Sequence, residues 1–274
     1  MDLQLPQKES GCTSLCCKGA KKHCYDVASS GYVNLMPPGH TAGGDSKQAV
    51  AARTRFLDQG YYQDAALALC EIVNQYQTPD DGIVVDAGCG EGYYTAFLAR
   101  QGFSVAGLDL SRAAVEAGAK RLAREGIEHA FFGVASVFSL PFQDESASVI
   151  VNIFAPCVER EYARILKPNG ILAVMYAGPE HLMGLKHALY DSVTENDVRA
   201  DLPTEMTLLR RERVRFEISV LGNENLQNLF AMTPYYWRTS QSDSEKLRSL
   251  NELSTPVDMI IDVYQKTSDQ LDRD

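Results

Sequence analysis

The sequence predicts a doubly wound α/β fold, and three observations carry that reading. From residue 83 onward, short apolar runs alternate with segments of helical period, the pattern of a parallel sheet covered by helices on both faces. The first of these runs, Ile83–Ala87, passes directly into Gly88-Cys89-Gly90-Glu91-Gly92 before a helix-like segment begins. Ligands of such sheets bind at the carboxyl ends of the strands, where these glycines fall. Finally, residues 207–220 and 257–265 alternate like strands and would take a five-stranded sheet to seven.

The elements follow in order. Residues 1–40 are rich in Gly, Pro and Ser, and Pro37-Pro38-Gly39 breaks the chain. After Ser46 the residues Ala49, Val50, Ala52, Phe56 and Leu57 recur at three- and four-residue intervals, so a helix begins there. A second helix fits Gln63–Tyr76, with Ala66, Leu67, Leu69, Cys70, Ile72 and Val73 apolar. The first strand is Ile83–Ala87, and Tyr93–Arg100 is the helix behind the glycines. A second strand over 103–108 ends at Asp109, and Ser111 caps a helix over 112–124. Residues 130–135 form a third strand, and 147–154 form a fourth, apolar enough to be buried on both faces. A helix over 158–166 stops at Lys167-Pro168-Asn169-Gly170, and 171–177 is the fifth strand. One more helix, over 180–192, precedes the two late strands.

Composition limits the function classes. The chain has 274 residues, 45% of them hydrophobic, which is enough for a substantial core. It contains no apolar run long enough to span a membrane and opens on a polar stretch without a signal-peptide centre, so a cytoplasmic protein is expected. A net charge of −10 is unusual for a protein that binds phosphate backbones. The charge is uneven, however. Lys18, Lys21, Lys22, Lys47, Arg53 and Arg55 are candidates for phosphate contacts, and Arg210, Arg211, Arg213 and Arg215 form a second basic cluster. Four of the seven cysteines (Cys12, Cys16, Cys17 and Cys24) lie near the start, which points to metal binding rather than disulfides in such a compartment.

The glycine turn separates cofactor classes. A dinucleotide site requires G-x-G-x-x-G, but the last glycine position here holds Tyr93. The pattern is instead Asp86-x-Gly88-x-Gly90-x-Gly92, which resembles motif I of class I S-adenosylmethionine (SAM) methyltransferases, enzymes built on a seven-stranded sheet. Asp109 stands where a carboxylate can accept both ribose hydroxyls, and Asp86 can favour a cationic amino-acid group. Ala135 and Ser136, after the third strand, fall where an adenine edge would lie.

Segments outside that core resemble the RlmA family of 23S rRNA guanine-N1-methyltransferases. They are His23-Cys24-Tyr25-Asp26, Gly31-Tyr32-Val33-Asn34-Leu35, Gly60-Tyr61-Tyr62, Ala155-Pro156-Cys157, Gly178-Pro179-Glu180-His181-Leu182, and Met232-Thr233-Pro234 with Trp237. The resemblance implies a SAM-dependent enzyme that acts as a homodimer on 23S rRNA. It also implies a zinc-binding N-terminal segment and contacts to SAM from Tyr62, Gly90, Glu91 and His181. Three units are expected: a zinc-ribbon-like RNA-recognition segment over 1–40, a helical linker or lid over 41–80, and the methyltransferase domain over 81–274.

The family's zinc pattern is incomplete in this chain. Cys17 and His23 fit two ligand positions, but the upstream C-x-x-C is missing. Tetrahedral zinc needs four ligands, so either two of Cys12, Cys16 and Cys24 complete the set or the site is degenerate. Methylation at N1 requires the guanine to be unpaired and held flat. Phe154, Tyr235, Tyr236 and Trp237 are the stacking candidates. No general base is assigned by sequence; Asp45 and Glu91 are carboxylates in suitable motifs. A small-molecule methyltransferase and a non-catalytic SAM- or RNA-binding relative are the alternatives.

Overall fold

The computed structural model describes residues 14–16, 24–37, 39, 43–197 and 202–266. Near the start, β1 (Ser14–Cys16) and β2 (Cys24–Asp26) pair antiparallel as a two-stranded sheet. Cys24 is bound in a disulfide, which removes its thiol from any metal-ligand set. Cys17 and His23 lie outside the described residues. Among the described residues, no group of three or more His, Cys, Asp or Glu side chains is placed to hold a metal ion.

The remaining strands build one sheet: β3 (Val33–Asn34), β4 (Ile83–Ala87), β5 (Ser104–Asp109), β6 (Ala130–Val134), β7 (Ala147–Ile153), β8 (Leu166–Ala177), β9 (Thr207–Leu221) and β10 (Glu252–Gln265). Their spatial order is β3-β6-β5-β4-β7-β8-β10-β9. All pairings from β3 to β8 are parallel, and β10 inserts antiparallel between β8 and β9. The seven predicted strands are present. The two-residue β3 adds an eighth at one edge, carrying the Val33-Asn34 segment up to the cleft side of the sheet. Strand order reverses at β4, which lies between β5 and β7, so the crevice for a ligand opens above its carboxyl end.

Helices α1 (Lys47–Leu57), α2 (Gln63–Tyr76) and α3 (Tyr93–Arg100) pack with one face of the sheet, sharing a core that includes Phe56, Leu69, Leu98, Val149 and Met259. Ser46 caps α1 by accepting the Ala49 N–H, and Ser111 caps α4 (Arg112–Glu125) by accepting that of Ala114. On the other face, α5 (Glu159–Ile165) contributes Tyr162 and Ile165 to a second core with Val85, Ile150 and Val174.

The C-terminal part differs most from the sequence reading. The helix expected over 180–192 is confined to α6 (Met183–Leu189). Two further helices follow: α7 (Asn223–Ala231) packs against β9 and β10, and α8 (Gln241–Arg248) packs against α6 and α7. α8 carries little apolar signal, since it buries only Leu247, whereas α7 buries Leu226, Leu229 and Phe230. The basic cluster on β9 is not a free surface. Arg211 and Arg213 each place Nε 2.7 Å from a fully buried carboxylate on β10, that of Asp262 and Asp258 respectively. Arg210 pairs with Glu212, and Arg215 pairs with Glu180. Charge alternation across the β9–β10 ladder therefore neutralises what the sequence presents as a basic patch.

Ile261 of β10 is fully buried between the β8 and β9 pairings. Ile261→Ala is expected to lower stability by about 2–5 kcal/mol, read from the midpoint of urea unfolding.

Candidate active site

The glycine turn is fixed from β5. The N–H groups of Gly88 and Cys89 both donate to the Leu108 carbonyl, at 2.8 and 3.0 Å. The Asp109 carboxylate then accepts the Gly90 N–H at 3.0 Å with one oxygen and the Ser111 N–H at 2.7 Å with the other. One side chain thus ties the turn after β4 to the start of α4. Two of the three glycines are required by protein contacts rather than by a ligand. At Gly88, φ is +86° and an added Cβ would stand 2.4 Å from that of Ala155; at Gly92, φ is +76° and it would stand 2.2 Å from the Phe132 ring.

Asp86 lies beneath the turn with 1% of its surface exposed. Thr95 Oγ1 donates to its Oδ2 at 2.6 Å, while Oδ1 has no hydrogen-bond partner among the described residues. Burial pushes this carboxyl up to about 7, partly opposed by the Thr95 hydrogen bond. Glu91 and Asp109 are raised in the same sense, also mainly by burial. Glu91 is buried and faces the Arg53 guanidinium at 3.7 Å, and Arg53 also pairs with Asp45. From α4, Arg121 donates to the Glu91 carbonyl at 3.3 Å and binds Asp58 at 2.6 Å. Arg53 is therefore committed to the turn and not available to phosphate.

The far end of the crevice is aromatic. His181 follows β8, and its Nδ1 accepts the Asp258 N–H at 3.2 Å, so a neutral ring carries its proton on Nε2. Nε2 is 3.4 Å from the Tyr62 hydroxyl, and the Phe154 ring centroid is 5.7 Å away. Burial lowers the His181 pKa to about 4, which keeps the ring neutral, and pushes the Tyr62 phenol far up. Phe154 takes a left-handed φ of +51° at the end of β7 and remains half exposed. Asn196 joins the parts: its amide donates to the carbonyls of Gly178, Pro179 and His181, and its Oδ1 accepts the Tyr235 hydroxyl at 3.1 Å.

These groups line one cleft of about 840 Å³. Of the residues expected around a cofactor, Tyr62, Asp86, Gly88, Gly90, Glu91, Asp109, Ser136 and His181 line it; Gly92 and Ala135 do not. Gly92 turns toward Phe132, and Ala135 is buried in the second core. Of the stacking candidates, Phe154 and Tyr235 line the cleft. Tyr236 and Trp237 lie on the outer side of the same turn, Tyr236 against Phe230 and Trp237 with 75% of its surface exposed. Asp45, Arg53, Asn196 and Asp197 also line the cleft. For Asn196 and Asp197 the sequence offers no signal, because they sit in a loop that only tertiary packing brings to the site.

Comparison with known proteins sharpens the geometry. Residues 84–170 match a family model described as a methyltransferase domain. Over 258 residues the chain is 32% identical to the 23S rRNA (guanine(748)-N(1))-methyltransferase of Streptomyces fradiae, covering 90% of this chain and 88% of that protein. The chain belongs to the 23S rRNA (guanine-N1-)-methyltransferase family. Among solved structures, the YcgJ protein of Bacillus subtilis aligns with a TM-score of 0.51 at 16% identity, over 74% of this chain and 99% of that one. A protein that converts a disulfide bond into a thioacetal group during echinomycin biosynthesis aligns with a TM-score of 0.53 at 17% identity, over 75% and 83%. These two establish the fold alone.

The family methyltransferase uses SAM, and the site's own chemistry fits that group. A buried carboxylate oxygen without a partner, Asp86 Oδ1, suits an ammonium. Asp109 retains acceptor capacity for hydroxyls beyond its two N–H bonds, and Leu110, Val137 and Phe138 offer apolar walls for a flat heterocycle. No helix of the described residues is long and apolar enough to cross a membrane.

The raised carboxyls set a pH dependence. A buried acid whose pKa rises from 3.8 to about 7 on folding favours the folded state while protonated, and that stability is lost as pH climbs through about 7. The cofactor-free protein is expected to unfold at lower urea concentration at pH 8 than at pH 5.5. Asp86→Asn should reduce this slope, while Glu91 and Asp109 retain part of it.

Proposed function

We propose that this chain transfers the methyl group of SAM to N1 of a guanine in 23S rRNA. The observation that carries the reading is one cleft with a carboxylate-rich turn at one end and Phe154 and Tyr235 at the other, in a chain similar to a guanine-N1-methyltransferase along nearly its whole length. SAM supplies a methyl group made electrophilic by its sulfonium. Tyr62, Asp86, Gly88, Gly90, Glu91, Asp109, Ser136 and His181 hold the cofactor, and Gly92 and Ala135 support the turn and strand behind them. Phe154 and Tyr235 hold the flipped base flat, while exposed Trp237 and its neighbour Tyr236 meet RNA outside the cleft.

The protein's main contribution is alignment. Its rigid turn, the Asn196 clamp and the two aromatic rings fix donor and acceptor so that little reorganisation is left for the reaction. Residues 1–40 form an RNA-recognition segment, the helices over 41–80 close the cleft through Tyr62, Arg53 and Asp45, and the rest is the catalytic domain. The protein functions in the cytoplasm as a homodimer.

Incubating the protein and SAM with unmodified 23S rRNA, or with its domain II fragment, should create one new SAM-dependent reverse-transcription stop at a guanine, because N1 methylation blocks pairing. Good SAM binding without any stop would overturn the reading. Asp109→Ala is expected to weaken SAM binding by about 10- to 100-fold in calorimetry, the loss of a charge-assisted hydrogen bond.

A further inference from the structure

Guanine N1 carries a proton at neutral pH, so its methylation needs an acceptor for that proton at the aromatic end of the cleft. Most cleft groups are disqualified by their partners. Asp86 lies beneath the glycine turn, bonded to Thr95, and Asp109 is held by two N–H groups. Glu91 is buried against Arg53, and Asp45 pairs with the same guanidinium. His181 presents a donor, since its Nδ1 is already an acceptor for the Asp258 N–H and its ring is held neutral. Tyr235 is pushed up to about 12 by burial and gives its hydroxyl proton to Asn196.

One cleft carboxylate remains. Asp197 is exposed, lines the cleft, and has no hydrogen bond or ion pair among the described residues. Its neighbour Asn196 is the clamp bonded to Tyr235 and to the His181 carbonyl, which places Asp197 beside the stacking residues rather than the glycine turn. A cation stands nearby. Lys186 of α6 is buried, donates to the Thr194 carbonyl at 2.9 Å, lies 5.7 Å from the Tyr235 ring centroid, and interacts electrostatically with Asp197. Among the described residues, the other titratable or charged groups at this end are Tyr62 and His181, which face each other, Tyr235 and Arg238 after α7, and Glu195 on the same loop.

We propose that Asp197 is the catalytic proton acceptor, a role that rests on the guanine-N1 reading above. The N1 lone pair forms the new N–C bond as the C–S bond breaks and its electron pair returns to sulfur, leaving a neutral thioether. The N1 proton passes to the Asp197 carboxylate and from there to water, so charge and atoms balance. Lys186 is a positioning residue whose ammonium draws the carboxylate toward the base.

The test is single-turnover methylation of an unmodified 23S rRNA domain II fragment by the full chain. Asp197→Asn should slow the reaction by about 100-fold or more, the usual worth of general-base catalysis. SAM affinity by calorimetry, and RNA affinity of the cofactor-free protein by fluorescence anisotropy, should both stay at wild-type values. The Asn variant should also recover rate as pH rises, when hydroxide can take the proton, and Asp197→Glu should restore much of the lost rate. A variant that methylates at the wild-type rate, or that loses RNA affinity in step with rate, overturns the assignment. Wild-type protein that makes no stop on rRNA defeats the underlying reading, and the assignment with it.

Discussion

The Asp109 carboxylate is the constraint on which the site depends. It closes the end of β5, receives N–H groups from both Gly90 and Ser111, and so fixes the glycine turn against the first turn of α4. Two charge-assisted hydrogen bonds to backbone donors are stronger than neutral ones and hold their geometry in a partly buried setting. Because the turn is fixed there, Glu91 and Gly90 are presented to Arg53 on α1, and α1 is drawn over the cleft. The same carboxylate faces the cleft, so one residue both builds the turn and remains able to accept a ligand's hydroxyls.

Around this anchor the protein concentrates buried acids. Asp86, Glu91 and Asp109 are all raised by desolvation and sit close enough to raise one another, a destabilising arrangement for a cofactor-free fold. A positive charge placed beside these acids offsets such repulsion. On the far side of the sheet, Asp258 and Asp262 show the opposite solution. Each is fully buried but bonded to an arginine from β9, and Asp258 is held below the usual carboxylate range by Arg213 and the Glu180 N–H despite its burial. The Asp258 N–H also orients His181, so the β9–β10 ladder reaches the cleft through one hydrogen bond.

Local sequence carried the strands and helices between residues 47 and 177 to within about a residue, except that β8 begins at Leu166 rather than at 171. Ile83–Ala87, Tyr93–Arg100 and Gln63–Tyr76 coincide with the observed elements, because apolar period, caps and glycine breaks agree with one another there. Beyond residue 180 alternation still marks β9 and most of β10, but the helices are not legible. In α8 a single buried leucine gives no apolar face, and the segment is helical because Ser240 caps it and α6 and α7 pack beside it.

The sequence by itself determined the α/β class, the class of cofactor and the carboxylates of the glycine turn that line the cleft, since all of these follow from residues close together in the chain. Tertiary structure alone decided which side chains share the other end of the cleft. Asn196 and Asp197 reach it from an irregular loop, Tyr235 reaches it while Tyr236 and Trp237 turn outward, and the arginines of β9 turn to buried aspartates on β10. Such pairings join residues far apart in the chain, and no periodicity within a segment encodes which face will meet which partner.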